Sequence, residues 1–483
     1  MLLLGVLFFP LIAAVLVYLA GNRHAGKVAL VLSVVELAAS ALLLNSYNKA
    51  DAASISFLAP WIDNPHISFH IAADGLSLLM VLLTTFLVPV IILSNISKQV
   101  DNERSLYSLV LLMQFALIGV FVSMDAFLFY IFWELALIPI YFIALLWGEG
   151  QDKPFRTRAI FKFFVYTLAG SLFMLLAFIY LYQYADGFGV NELYGLGLSD
   201  KEQLFIFLGI FVAFAIKIPV FPFHTWQPDT YKEAPTIGTM LLAGIMLKMG
   251  LYSLLRWLLP VVPHGVAMAT PYVIILCVIG IIYGSIIAIR QGDVKRLLAY
   301  SSFAHVGLIA AGTFALTNEG LQGAVVQMLA HGVNVVGLFF AAEIILRRTG
   351  TLDIAQLGGI RNVAPKFATC FMIVVLASVA LPTTNAFIGE FLLLFGTYQY
   401  NTYLGAVAGL TIILGAVYML RMYQKTMLGE TNALTADFAD LTISELLVFA
   451  PIIAAIFIFG VYPKPIFDLA QPALDTILNF AVR

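Results

Sequence analysis

The sequence predicts an all-α polytopic membrane protein of about 14 transmembrane helices. Three observations carry this. The chain has 483 residues, of which 62% are apolar and 11% charged, with a mean hydropathy of +0.98. Soluble domains carry roughly a quarter charged residues. Apolar windows of about 20 residues, long enough to cross ~30 Å of hydrocarbon, recur from end to end. Lys and Arg fall on alternate connections between those windows. No ten-residue dyad alternation of the outer-membrane barrel type is present, so the spans are helical.

In chain order the windows are roughly 2–20, 27–45, 74–97, 105–123, 125–147, 159–185, 203–218, 236–259, 270–290, 295–314, 320–348, 366–400 (interrupted), 402–428 and 443–462. The first has no positive residue ahead of it, and Arg23 and Lys27 come after it. It therefore reads as a spanning helix and not as a cleaved leader. Connections that begin after an odd-numbered span carry Arg23 and Lys27, Lys98 and Arg104, Lys153, Arg156 and Arg158, Lys232, Arg290, Lys295 and Arg296, Arg347, Arg348, Arg361 and Lys366, and Arg421 and Lys425. The opposite side has little beyond Lys49, Lys201, Lys464 and Arg483. The positive-inside rule puts the basic side in the cytoplasm and both termini outside. The expected location is a bacterial inner membrane, or the mitochondrial inner membrane if the chain is organellar.

No long linker divides the chain, so residues 1–483 form one transmembrane domain. Two spans are interrupted. The seventh breaks at "KIPVFPFHTWQPD", around Pro219 and Pro222, and the twelfth at "LASVALPTTNAFIGEF", around Pro382. Broken helices survive at membrane depth only where the freed backbone is buried in protein or lines a cavity. The breaks lie five spans apart, an odd interval that reverses orientation. Spans 4–8 (105–259) and 9–13 (270–428) thus read as inverted five-helix repeats, a transporter architecture.

Four ionisable side chains lie inside spans and away from their ends: Glu134, Lys217, Lys248 and Glu390. His305 and His331 add two imidazoles. Each such charge costs about 2.5–3.5 kcal/mol at the bilayer centre even on the lenient scale. Four cost on the order of 10 kcal/mol, comparable with a whole folding stability. A purely structural chain would place Leu there, so the reading is a proton or ion path. A buried lysine holds its proton more weakly than in water, and a carboxylate about 4 Å away restores the hold. Glu134 and Lys217 are thereby a switchable pair, with water admitted at the proline break. The blander readings are a static Glu134–Lys217 ion pair, a snorkelling Lys248, a capping Glu390 and hydrogen-bonded core histidines. His224 and Asp229, beside the first break, are secondary candidates.

Other chemistry is absent from the pattern. His66 and His70 have metal-ligand spacing but no third ligand, and read as solvated groups on a loop; no metal site is expected. Cys277 and Cys370 read as inert core thiols. A net charge of −2 with no basic tract excludes nucleic acid as a partner. No phosphate-binding glycine loop, iron–sulfur cysteine set or haem-type histidine pair occurs, so the driving energy comes from an ion gradient or a redox partner.

"FWELALIPIY", "AIKIPVFPFHTWQPDTYKEAPT", "LLAGIMLKMGLY", "DVKRLLAYSSFAHVGL", "QMLAHGVNVVGLFF" and "LPTTNAFIGEF" together resemble the antiporter-like membrane subunits of respiratory complex I (NADH–quinone oxidoreductase), most closely the chain M branch. The resemblance spans about residues 70–430. It implies 14 helices and one proton-translocating channel, with Glu134, Lys217, Lys248 and Glu390 at the family's glutamate and lysine positions and His305 and His331 as connecting histidines. Glutamate at 390, where chains L and N and the multisubunit sodium/proton antiporters place lysine, favours the M branch. So does the chain's end about twenty residues after the last span, without chain L's lateral helix. The resemblance also implies neighbouring chains L and N, small membrane subunits, lipids and, indirectly, a peripheral redox arm. No cofactor is expected in this chain; NADH, FMN, iron–sulfur clusters and quinone would sit in partner subunits. The alternatives are a subunit of a sodium/proton antiporter, which uses the same charges with an ion gradient as driver, and a structural spacer with vestigial charges.

Overall fold

The structure, a computed structural model, describes residues 1–47, 55–98, 100–150 and 152–481. Lys49 and Arg483, counted above in the charge asymmetry, lie outside the described residues. Among those residues, 12 helices are long and apolar enough to cross a membrane. These are α1 (Leu2–Leu19), α2 (Ala25–Asn45), α3 (Gly75–Asn95), α4 (Glu103–Val122), α5 (Ala126–Leu146), α6 (Lys153–Tyr182), α8 (Thr236–Leu258), α9 (Pro263–Arg290), α10 (Val294–Phe314), α11 (Asn318–Thr349), α14 (Thr402–Met427) and α15 (Ile443–Val461). Three further helices complete the main bundle: α7 (Asp200–Lys217), α12 (Pro365–Ser378) and α13 (Asn385–Tyr400). α7 carries Asp200, Lys201, Glu202 and Lys217, too many charges for an ordinary spanning helix. α12 and α13 are the two short halves of the interrupted twelfth window.

The segment holding His66 and His70, read from the sequence as a loop, instead forms an antiparallel hairpin, β1 (Ser56–Ile62) and β2 (Ile67–Ala72). His66 is exposed at its turn, but His70 is half-buried on β2, correcting the solvated reading for that residue. Its phenylalanines pack on one another and on α1, as Phe69 does with Phe8 and Phe57. Asp125 ties the hairpin to α5, accepting from Ser68 N at 3.1 Å and capping the helix through Phe127 N and Leu128 N. α16 (Lys464–Ala481), an amphipathic helix, lies across the ends of α3 and α11.

Burial separates the helices into layers. α8, α10 and α11 are enclosed almost completely, whereas α2, α6 and α14 turn much of their apolar surface outward. A spanning helix surrounded by protein need not be apolar on every face, so the enclosed helices are those that carry polar groups. The backbone irregularities have local causes. Pro139 has no N–H for the carbonyl four residues back, and α5 is interrupted at Ala136. At the end of α7, Pro219 likewise leaves the Ala215 carbonyl without a partner, and Val220 N takes it at 2.7 Å. The Trp226 indole takes the Ile216 carbonyl at 2.9 Å. The break is therefore satisfied by buried protein groups, as the hydrocarbon region demands. Between α12 and α13, Leu381 N reaches Leu376 O at 3.1 Å and Thr384 Oγ1 donates to Leu381 O at 2.7 Å. Pro382 itself is exposed.

Candidate functional site

Two glycines set the distance between the enclosed helices. A Cβ at Gly332 on α11 would lie 2.9 Å from the Gly244 carbonyl of α8, and one at Gly244 would lie 2.8 Å from Val336 Cγ2. α8 and α11 therefore cross backbone to backbone. One turn from the crossing on α8 is Lys248, fully buried; adjacent to it on α11 is His331. Around Leu242–Met246 the α8 backbone widens into a π-turn. Lys248 Nζ donates to the Ala243 carbonyl at 2.6 Å and lies 2.8 Å from His331 Nδ1. At that distance the two nitrogens can hydrogen-bond, with either the lysine or the imidazole nitrogen as donor.

The His331 and His305 rings are 6.1 Å apart between centroids. A cavity of about 20 Å³ is lined by both histidines with Ser302, Gln327, Asn334 and Ser378. Ser302 Oγ, Gln327 Oε1 and Asn334 Oδ1 are buried with no protein partner. That volume and those polar atoms suit one water molecule. On the far side, His305 Nδ1 donates to the Ser301 carbonyl at 2.8 Å. A carbonyl only accepts, so Nδ1 carries hydrogen. His305 Nε2 faces Glu390 Oε1 at 3.2 Å, within hydrogen-bonding distance. Gln327 Nε2 reaches the same carboxyl oxygen at 3.4 Å.

Glu134 and Lys217 form a separate group. Lys217 closes α7 with its stem against α8, where a Cβ at Gly250 would meet Ile218 Cγ1 at 2.6 Å and Lys217 Cβ at 3.3 Å. Its Nζ stands 5.1 Å from the Trp133 ring centroid, a cation–π distance. Glu134, half-buried on α5, lies beside Ser171 of α6 and forms no ion pair with Lys217. The static ion pair among the bland readings is therefore not the arrangement seen. Four of the six axis residues, Lys248, His331, His305 and Glu390, are joined by hydrogen-bond distances and one water-sized cavity. Glu134 and Lys217 stand apart from that line.

His224 and Asp229 do not touch the line. His224 is stacked between Phe221 and Phe303, with ring centroids 5.6 Å and 4.5 Å away. Asp229 meets Lys162 at 3.4 Å and Arg296 at 3.8 Å, at the end of the bundle. Pro219 and Pro222 follow Lys217 directly, while Glu390 begins the second turn of α13 beyond the Pro382 break. Cys277 and Cys370 are free and buried.

Sequence reasoning passed over several buried ionisable groups. Glu36, mid-way along α2, is buried with neither carboxyl oxygen partnered, so the count of four ionisable groups within spans was short by at least this one. Its signal, a carboxylate nine residues inside an apolar window, was the same as for Glu134. Arg256 of α8 pairs with Asp74, the N-cap of α3. Glu149 binds Lys98 at 2.8 Å and Lys295 at 3.0 Å, and Lys98 also binds Glu343 of α11 at 2.9 Å.

A helical bundle that encloses a line of ionisable side chains among spanning helices defines a polytopic membrane protein with a charged interior axis. The family model described as NADH:quinone oxidoreductase/Mrp antiporter, transmembrane, matches residues 123–415, and the chain belongs to that family. It is 40% identical to NADH-quinone oxidoreductase subunit M of Rickettsia typhi over 98% of this chain and 97% of that one. A chain of respiratory complex I from Thermus thermophilus superposes with a TM-score of 0.92 at 31% identity, covering 100% of both chains. A chain of the Mrp complex from Dietzia sp. DQ12-45-1b has the same fold, with a TM-score of 0.84 at 20% identity over 98% and 97% of the two chains. The chain is thus a subunit of a multisubunit membrane complex.

Proposed function

We propose that this chain is the M-type proton-translocating subunit of a bacterial NADH–quinone oxidoreductase. The observation that carries the reading is the line Lys248–His331–His305–Glu390, in which each neighbouring pair lies within hydrogen-bonding distance or faces a water-sized cavity. A proton arriving at Lys248 passes to His331 along the 2.8 Å contact. A bridging water carries it to His305, and Glu390 receives it. Lys217 loads the line, with Glu134 as the movable counter-charge that sets how firmly Lys217 holds its proton.

On this reading the 12 spans, α7 and the α12–α13 pair make 14 crossings. Residues 105–259 and 270–428 are the inverted repeats, and the basic loops face the cytoplasm with both termini outside. The neighbours are chains of the L and N type. NADH oxidation and quinone reduction take place in partner chains that hold FMN and iron–sulfur clusters. The near-full-length match to NADH-quinone oxidoreductase subunit M, against 20% identity to the Mrp chain, favours this reading over a sodium/proton antiporter.

The test uses the assembled complex in proteoliposomes. Lys217→Ala should abolish proton uptake coupled to NADH oxidation through this chain while the complex assembles with its full subunit set. Undiminished pumping per NADH would overturn the channel assignment. Co-isolation with flavin and iron–sulfur proteins is expected; isolation with antiporter chains alone would move the chain to the other branch.

A further inference from the structure

The end of α9 and the end of α14 leave a recess of about 330 Å³, floored by Leu297, Ile354 and Tyr418 and rimmed by Arg290, Arg421 and Lys425. No acidic side chain lines it. Asp353, the carboxylate beside it, is already engaged by Ala355 N and Gln356 Nε2. None of the three cations has an ion pair or hydrogen bond among the described residues. Three cations around one recess repel each other, and an anion relieves that.

What leads up to the recess identifies the anion. On α9, Ile279, Tyr283 and Ile286 are exposed at spacings of four and three, and the next residue on that stripe is Arg290. On α14 the exposed Ile413 and Val417 continue at spacings of four into Arg421 and Lys425. α9 packs on α14 and both helices end at the recess. Two outward apolar stripes thus run side by side into one basic pocket. That is the outline of an amphiphile with acyl chains along the helices and an acidic head at their ends. Basic pockets between helices at the membrane surface take anionic lipid heads.

We propose that this recess is a binding site for the phosphate head of an anionic phospholipid whose acyl chains lie along α9 and α14. The inference is independent of how protons move through the axis. A free phosphate ion satisfies the pocket but leaves the apolar stripes unused, so the lipid is the occupant.

The experiment compares the whole complex, wild type and Arg290→Gln/Arg421→Gln/Lys425→Gln, in nanodiscs. Each contains a photoactivatable phosphatidylglycerol or phosphatidylcholine probe, with and without inorganic phosphate. Phosphatidylglycerol should label the α9 and α14 segments of the wild type. The triple variant should bind it about a hundredfold more weakly, roughly fivefold per charge removed. Phosphatidylcholine should label weakly and phosphate should not compete. Equal labelling of the variant, equal labelling by phosphatidylcholine, or displacement by millimolar phosphate would each overturn the proposal. A Lys366→Gln variant, a basic change on the same side outside the recess, should leave labelling unchanged; an equal loss there would show that only general surface charge is being read.

Discussion

Asp74 does two jobs with one carboxylate. It caps α3 through Ser77 N at 2.9 Å and neutralises the buried Arg256 of α8. The surrounding hydroxyls extend the tie, with Ser77 Oγ 3.0 Å from Tyr252 OH and Tyr252 OH donating to the Phe121 carbonyl at 2.8 Å. Removing one partner of a buried pair leaves an uncompensated charge, whereas replacing both by apolar groups is often close to neutral. Asp74→Ala should therefore destabilise the subunit by about 3–5 kcal/mol, seen as loss of the chain from the isolated complex or a lowered melting temperature. Asp74→Leu/Arg256→Leu should recover most of that loss. A double variant as unstable as the single one would show that the cap and the hydroxyl network matter more than the charge. The pair was hard to read from the sequence because its members are 182 residues apart. Arg256 also stands near the end of its apolar window, where a snorkelling side chain is unremarkable.

At the scale of elements, the crossing of α8 and α11 is what turns isolated charges into a line. Lys248 and His331 are 83 residues apart, and their 2.8 Å contact exists because Gly244 and Gly332 let the two backbones touch. Small residues are the usual means of close approach between spanning helices. Gly332→Ala puts a methyl 2.9 Å from a backbone carbonyl that has no free rotamer to yield. The helices must part by a few tenths of an ångström or more. The expected outcome is an assembled complex whose proton translocation falls at least severalfold, with NADH-to-quinone turnover reduced alongside it. Gly197→Ala, at an exposed loop glycine with open space around it and no positive φ, leaves the crossing untouched and serves as the comparison. Full pumping by Gly332→Ala would mean that the Lys248–His331 contact is not used. Charges inside apolar windows and prolines within them were legible in the sequence, because each violates what the bilayer favours. The contacts were not, since glycine spacing marks a close crossing without naming the partner helix. The π-turn below Lys248 has no proline or polar signature either. The hairpin at 56–72 was missed because a short alternating stretch between spans carries little signal beside twenty-residue apolar runs.

Across the whole molecule, one ionic cluster joins parts of the chain that are remote in sequence. Glu149 follows α5, Lys98 follows α3, Thr236 and Lys295 begin α8 and α10, and Glu343 is near the end of α11. Thr236 Oγ1 donates to Glu343 at 2.5 Å, and Lys295 also holds the Ala234 carbonyl at 2.7 Å. The cluster thus clamps residues from the 105–259 segment to residues from the 270–428 segment at one end of the bundle. Burial by itself pushes the Glu149 carboxyl up, but the charges of Lys295 and Lys98 outweigh burial and hold it down at about 2, from an ordinary 4.5. The native state therefore binds the proton more weakly than the unfolded chain does. The stabilisation is present above about pH 4.5 and is lost as the pH falls towards 2, and its size is on the order of 3 kcal/mol. Because other carboxylates titrate in the same window, the informative quantity is the difference between wild type and Glu149→Gln. At neutral pH the variant should melt lower. As the pH falls from 5 to 3 the wild type should lose stability faster, so that the two melting curves converge. A gap that stays constant through that window would mean the carboxylate charge does not hold the two segments together. A gap that widens on acidification would reverse the sign of the linkage altogether.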